Sequence, residues 1–194
     1  RSNRPDKDLT MEQSEKALNL RIDEFLEKFN PQEMEDVAFR SARFDAGLAW
    51  IHFPEGQGGM GLRPNLQKVI ERRMREAGAM PTDPTTFFMS LAGPTISTHV
   101  TQEQMERFLK PMFTGEERWC QLFSEPGAGS DFAGLACKAE RDGDEWVVSG
   151  QKVWNTLAHL GDWGMLVTRS NPELPKHKGI CLLYTSPSPR DRTT

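Results

Sequence analysis

Apolar residues recur at helical spacing through the first half of the chain. Leu18, Ile22, Phe25, Leu26 and Phe29 fall at i, i+4, i+7, i+8 and i+11, one stripe of an amphipathic helix. Thr10-Met11-Glu12-Gln13 fits a capping box before it, and Pro31 follows as a stop. A second helix is predicted from Gln32 to about Ala46, with Met34, Val37, Ala38 and Phe44 inward. A third is predicted from about Pro64 to Ala77 and a fourth from about Thr85 to Leu91. Thr101-Gln102-Glu103-Gln104 repeats the capping-box pattern ahead of Met105, Phe108 and Leu109, with Pro111 as the expected end. Each helix is marginal alone and needs its neighbours' apolar faces.

After Gly115 the period changes. Trp119 to Phe123 is an apolar run of strand length. Ala136 to Glu140 and Glu145 to Ser149 flank an Asp142-Gly143 turn, the signature of a hairpin. Lys152 to Trp154, Met165 to Arg169 and Gly179 to Leu183 are further strand candidates. Helices followed by antiparallel strands predict an α+β chain of two domains, meeting near residue 117.

Composition narrows the function. With 194 residues, 37% hydrophobic and 27% charged, the chain can bury a core. A net charge of −4 gives no electrostatic footprint for nucleic acid. No apolar run approaches the ~20 residues that span a bilayer. No charged-then-apolar leader opens the chain, and Cys120, Cys137 and Cys181 are odd in number without metal spacing. A disulfide scaffold and a metal site are not expected, and the expected compartment is cytoplasmic. The histidines (His52, His99, His159, His177) are scattered, with His99 read as a helix-end residue. Cys120 lies in an apolar run and reads as a buried structural thiol rather than a nucleophile.

Gly56-Gln57-Gly58-Gly59-Met60-Gly61 spells G-x-G-x-x-G, but no strand precedes it and Pro64 intervenes before a helix. It reads as a flexible connection, not a dinucleotide fingerprint. Phe123-Ser124-Glu125-Pro126-Gly127-Ala128-Gly129-Ser130-Asp131 is more informative. Glycines admit close backbone approach, their N–H groups can cradle an oxyanion, and Ser124 and Ser130 add hydroxyls. A plain surface turn is an equal reading of the same letters. Gly150-Gln151-Lys152-Val153-Trp154-Asn155-Thr156 then puts an indole two residues from a hydroxyl. An indole can cover a flat heteroaromatic ring while a hydroxyl bonds its edge.

The two segments together resemble the acyl-CoA dehydrogenase family. Ser124 to Asp131 matches the middle-domain Ser/Thr-Glu-Pro-x-Ala-Gly-Ser-Asp core, and Gly150 to Thr156 its Gly-x-Lys-x-Trp-x-Ser/Thr segment. Pro54-Glu55 with Gly58-Gly59-Met60-Gly61-Leu62 resembles the family's N-terminal Pro-Glu-x-x-Gly-Gly-x-Gly loop. The likeness covers roughly residues 10 to 180. It implies a helical domain at 1–116 and a truncated, antiparallel β-barrel-like middle domain at 117–180.

The resemblance also implies FAD as cofactor. Phe123 and Ser124 match positions lining the flavin ring, with Gln121 where many members carry an aromatic. Trp154 matches the indole on the flavin and Thr156 the hydroxyl near its polar edge. Gly129 and Ser130 match the phosphate side, with Ser130 also near the acyl-CoA, and His177 lies near a position that can touch CoA. The implied reaction removes a proton α to the thioester and a hydride from the β carbon. No catalytic residue is assigned, because the family's carboxylate base lies in a C-terminal helical domain outside this stretch; Glu125 and Asp131 are read as holding the loop. Electron-transfer flavoprotein as acceptor and a homo-oligomer, dimer or tetramer, are implied partners. An acyl-CoA oxidase or flavin monooxygenase of the same fold is the alternative, as is an inert, non-catalytic fragment. Finally, Cys181 to Asp191 resembles a translated sequencing adapter, so residues 181–194 are expected to be an artefact tail on a chain cut inside its β domain.

Overall fold

The computed structural model describes residues 11–81 and 89–185. Thr10, the start of the expected fourth helix at Thr85, and Ser186 to Asp191 lie outside the described residues. The chain divides into two compact units, Arg1–Glu116 and Glu117–Thr194.

The first unit is helical: α1 Met11–Lys28, α2 Asp36–Asp45, α3 Gln67–Glu76, α4 Met89–His99 and α5 Gln102–Thr114. The apolar stripe of α1 drives its packing, since Leu18, Ile22 and Phe25 are buried against Phe39, Leu48, Ile51, Leu66, Ile70 and Met74. α2 starts at Asp36 rather than Gln32, because the Asn30 side chain accepts the Gln32 N–H at 3.0 Å and holds a turn there. Its inward residues are Phe39, Arg43 and Phe44, whereas Val37 and Ala38 are exposed in the first turn. Arg43 can lie buried because its guanidinium donates to the Leu48 carbonyl at 2.9 Å and pairs with Glu71.

At α5 the capping box forms: Thr101 Oγ1 accepts the Gln104 N–H, and Gln104 Oε1 accepts the Thr101 N–H at 3.1 Å. Pro111 does not end this helix. It sits inside α5, which continues for another turn to a left-handed cap at Gly115. A proline in the last turn forfeits one backbone hydrogen bond, and the buried Phe108, Leu109, Met112 and Phe113 offset that loss. The glycine-rich connection is not flexible either. Gly58 O accepts the N–H groups of Ala49 and Trp50, Met60 N–H donates to Ile51 O, and Gly61 N–H donates to Phe53 O. A Cβ on Gly59 would lie 2.2 Å from Phe53 O and 2.4 Å from Trp50 O, so these glycines permit a packed loop.

The second unit is a sheet of β1 Trp119–Leu122, β2 Lys138–Asp142, β3 Glu145–Ser149, β4 Trp163–Arg169 and β5 Ile180–Thr185. It is mixed, not antiparallel as expected. β1 runs parallel to β4, pairing Trp119 with Trp163, and β2 meets β4 in parallel through Lys138 and Arg169. β5 is antiparallel to β4, and β2–β3 is the predicted Asp-Gly hairpin. The chain leaves β1 and returns in the same direction because the whole stretch between β1 and β4 acts as a crossover, which a parallel pair requires. β4 is buried from Gly164 to Thr168, as a strand flanked on both edges must be. Lys152 to Trp154 is not a strand, because Trp154 takes a left-handed φ of 59° that no ladder accommodates. Cys181 to Thr185, the start of the adapter-like stretch, lie in β5, where Tyr184 packs edge-on against Trp119. No helix among the described residues is long and apolar enough to cross a membrane.

Candidate functional site

Leaving β1, the chain turns on Glu125 and Ala128, which exchange backbone hydrogen bonds of 3.1 and 3.2 Å. The turn directs the Glu125 side chain inward. Its oxygens accept the N–H groups of Ala136 (2.7 Å) and Cys137 (3.0 Å) and the Lys152 ammonium (2.8 Å). Both charged side chains are only 7% exposed. Burial alone would raise the Glu125 pKa. The Lys152 hydrogen bond and charge and the two backbone N–H groups outweigh it and hold the carboxyl below its ordinary value. Lys152 also donates to the Phe123 carbonyl at 3.0 Å.

One residue later the two motif segments join, as Val153 N–H donates to Ser124 O at 2.9 Å. Gly150 makes the approach possible: at φ 156° it passes Cys137 so closely that a Cβ would sit 2.7 Å from that residue's Cα, Cβ and Sγ. The chain then bends. Trp154 (φ 59°) and Leu157 (φ 61°) both adopt left-handed backbone, and Thr156 N–H donates to Trp154 O at 3.0 Å. The consequence is an indole that is 90% exposed, an apolar plate held off the protein surface. Between them the buried Asn155 Oδ1 accepts no hydrogen bond among the described residues.

The sequence-predicted residues lie on β1, the loops that follow it and the loop between β4 and β5. Gln121 lies half-buried in β1 opposite Met165. Phe123 is half-buried, its ring 5.5 Å from that of Phe132. Among the described residues the Ser124, Ser130 and Thr156 hydroxyls make no hydrogen bond within the chain. Gly127 and Gly129 face open space, with no described residue beyond their chain neighbours within 4 Å of a Cβ built on either. His177 is exposed in the loop between β4 and β5. That loop is tied to the Gly129–Ser130 side by the Lys176–Asp131 ion pair at 2.8 Å. No hydrogen bond or ion pair joins His177 to the other predicted residues among those described.

Lys152, Asn155 and Arg169 also belong to this junction, and the sequence alone does not single them out. Arg169 ends β4 and donates to the carbonyls of Ala133 (2.6 Å), Leu135 (3.1 Å) and Lys176 (3.3 Å), gathering both loops. Lys152 stood inside the matched segment, but a lysine reads by default as a solvated surface residue. Cys120 is fully buried, which pushes its pKa up to about 11, so the thiol is not a nucleophile at neutral pH.

An exposed indole, free hydroxyls and uncrowded glycines on adjoining loops suit a flat heteroaromatic ligand with an anionic extension. The chain is similar to known proteins over both units. The family model described as acyl-CoA dehydrogenase, N-terminal domain, matches residues 10–116, and the acyl-CoA dehydrogenase, middle domain, model matches 120–192. Acyl-CoA dehydrogenase FadE34 of Mycobacterium tuberculosis is 44% identical over 150 residues, 77% of this chain and 20% of that protein. The crystal structure of the ChsE4-ChsE5 complex from M. tuberculosis is similar with a TM-score of 0.60 at 31% identity, over 93% of this chain and 48% of that one. A structure named Tcur3481-Tcur3483 steroid ACAD G363A variant gives a TM-score of 0.62 at 29% identity, over 88% of this chain and 48% of that one. The chain thus spans about half or less of the relatives it matches.

Proposed function

The chain belongs to the acyl-CoA dehydrogenase family, and from that membership we propose that its second unit carries part of an FAD site serving α,β-dehydrogenation of an acyl-CoA thioester. The observation that carries the reading is the exposed Trp154 indole, joined through Val153 and Ser124 to a glycine loop with open space above it.

In this reading Trp154 covers the isoalloxazine ring, with Gln121 and Phe123 beside it. The Ser124 and Thr156 hydroxyls bond the ring's polar edge. Gly129 and Ser130 lie toward the phosphates, with Ser130 and His177 toward the acyl-CoA. FAD supplies the hydride acceptor. The protein must in addition supply a carboxylate base and donors that polarise the thioester carbonyl. Glu125 is unsuited to be that base, because three donors already hold its carboxylate and it is buried. The base is therefore sought in the longer protein, as the family resemblance implies, and the 194 residues alone are expected to give no turnover. The same reading takes in an electron-transfer flavoprotein acceptor, a homo-oligomer and a cytoplasmic setting.

The experiment is an FAD titration of the purified chain, followed by anaerobic addition of a straight-chain acyl-CoA and of a steroid acyl-CoA to the full-length protein. Tight FAD uptake and bleaching of the flavin by either thioester are expected. A full-length protein that takes up no FAD rules the reading out, and rapid reoxidation by oxygen after bleaching would assign an oxidase instead.

A further inference from the structure

We propose that Lys152 is a positioning residue that, through Glu125, fixes the Trp154–Thr156 segment against the Ser124 loop and so sets the affinity of the ring-binding surface. The proposal rests on the flavin reading above and names the part of the site that makes it rigid.

The geometry is a clamp between two stretches far apart in sequence. The Lys152 ammonium reaches the Phe123 carbonyl and a Glu125 oxygen, at 3.0 and 2.8 Å, on the loop that presents Ser124. Glu125 passes the load on to the Ala136 and Cys137 N–H groups at the start of the hairpin. With the lysine stem buried, Val153 is brought within 2.9 Å of Ser124 O, and the next residue is Trp154. Trp154 itself makes almost no side-chain contact, being 90% exposed. Its direction is therefore set by backbone, and the anchors of that backbone are Lys152 on one side and the Thr156-to-Trp154 hydrogen bond on the other. A charged pair at 7% exposure is a costly way to hold a surface loop, since apolar residues of similar volume often serve stability as well. What such a pair provides is a fixed geometry.

The test compares the full-length protein with its Lys152→Met variant and with the double variant Glu125→Gln/Lys152→Met, which leaves no uncompensated buried charge. Amide hydrogen exchange of the ligand-free protein reads the clamp. Protection of the Val153 N–H is expected to fall at least tenfold in Lys152→Met, while Val167 in β4 keeps its protection. FAD titration reads the consequence: affinity falls at least tenfold in both variants at a temperature where circular dichroism shows them folded. In a Trp154→Ala background, Lys152→Met then costs little further affinity, because the two act through one element. Unchanged Val153 protection overturns the proposal. So does unchanged FAD affinity in a folded variant, or additive losses in the Trp154→Ala background. Absence of FAD binding by the unaltered full-length protein is a different result, which overturns the flavin reading itself and the proposal with it.

Discussion

The Trp154 carbonyl accepts the Thr156 N–H at 3.0 Å, and the bend that permits this holds Trp154 at a φ of 59°. A bulky residue in left-handed backbone stores strain of about 1–2 kcal/mol. Because the indole is 90% exposed, it recovers little of that through burial. Trp154→Gly is therefore expected to leave the chain as stable as before, or more stable by up to about 1 kcal/mol. FAD affinity should drop at least tenfold in the same variant. Urea unfolding and FAD titration of one preparation check both; a marked loss of stability would show that the indole is packed.

Two glycines should behave in opposite ways. A Cβ on Gly59 would lie 2.2 Å from Phe53 O, so Gly59→Ala is expected to destabilise by about 2 kcal/mol or more. Gly129 has nothing within 4 Å, and Gly129→Ala should shift stability by less than about 0.5 kcal/mol. The methyl would instead meet a ligand lying on the loop, so Gly129→Ala should weaken FAD binding. Thermal unfolding and FAD titration of the pair separate packing from recognition.

Glu125 predicts an acid limb in the stability profile. Its folded pKa lies below the ordinary value, with burial opposing and the Lys152 and backbone hydrogen bonds prevailing. The ionised group thus stabilises the fold fully at pH values above its unfolded pKa of about 4.3, and that contribution is lost as pH falls through the folded value. Glu125→Gln should be less stable than the unaltered chain at neutral pH, and the difference should shrink below about pH 4. Unfolding midpoints measured from pH 7 down to pH 3 test the sign.

Burial raises the pKa of Cys120 to about 11 and that of Cys137 above its usual value. Both are buried. An aromatic disulfide reagent at neutral pH should therefore leave them unmodified in the folded chain and label them promptly in urea. Mass spectrometry of the labelled peptides reads the result; fast labelling of Cys120 under native conditions would contradict the burial.

Local physics made much of this chain legible. The Leu18–Ile22–Phe25 stripe, the Thr101 capping box and the Asp142-Gly143 turn all depend on neighbours within a few residues, and each appears as read. The residues that escaped depend on distant partners. Arg43 and Lys152 carry charges that read as surface, and Glu71 with the Leu48 carbonyl, and Glu125 with the Phe123 carbonyl, make their burial tolerable. Pro111 looked like a stop because proline breaks helices locally, yet buried neighbours carry α5 past it. The parallel pairing of β1 with β4 has no sequence signature at all, since periodicity is silent about direction.

That parallel pair has a kinetic consequence. Arg118 N–H donates to the Asp162 side chain across 44 residues, and everything assigned to the ring-binding surface lies inside the loop thus closed. Bringing the ends of so long a loop together costs entropy that must be offset before the non-local contacts it allows are gained. The glycine turn, the hairpin and the Trp154 bend are then expected to gain their order together with sheet closure, in one late step of folding. A chain caught before that step would hold its helices and bind nothing.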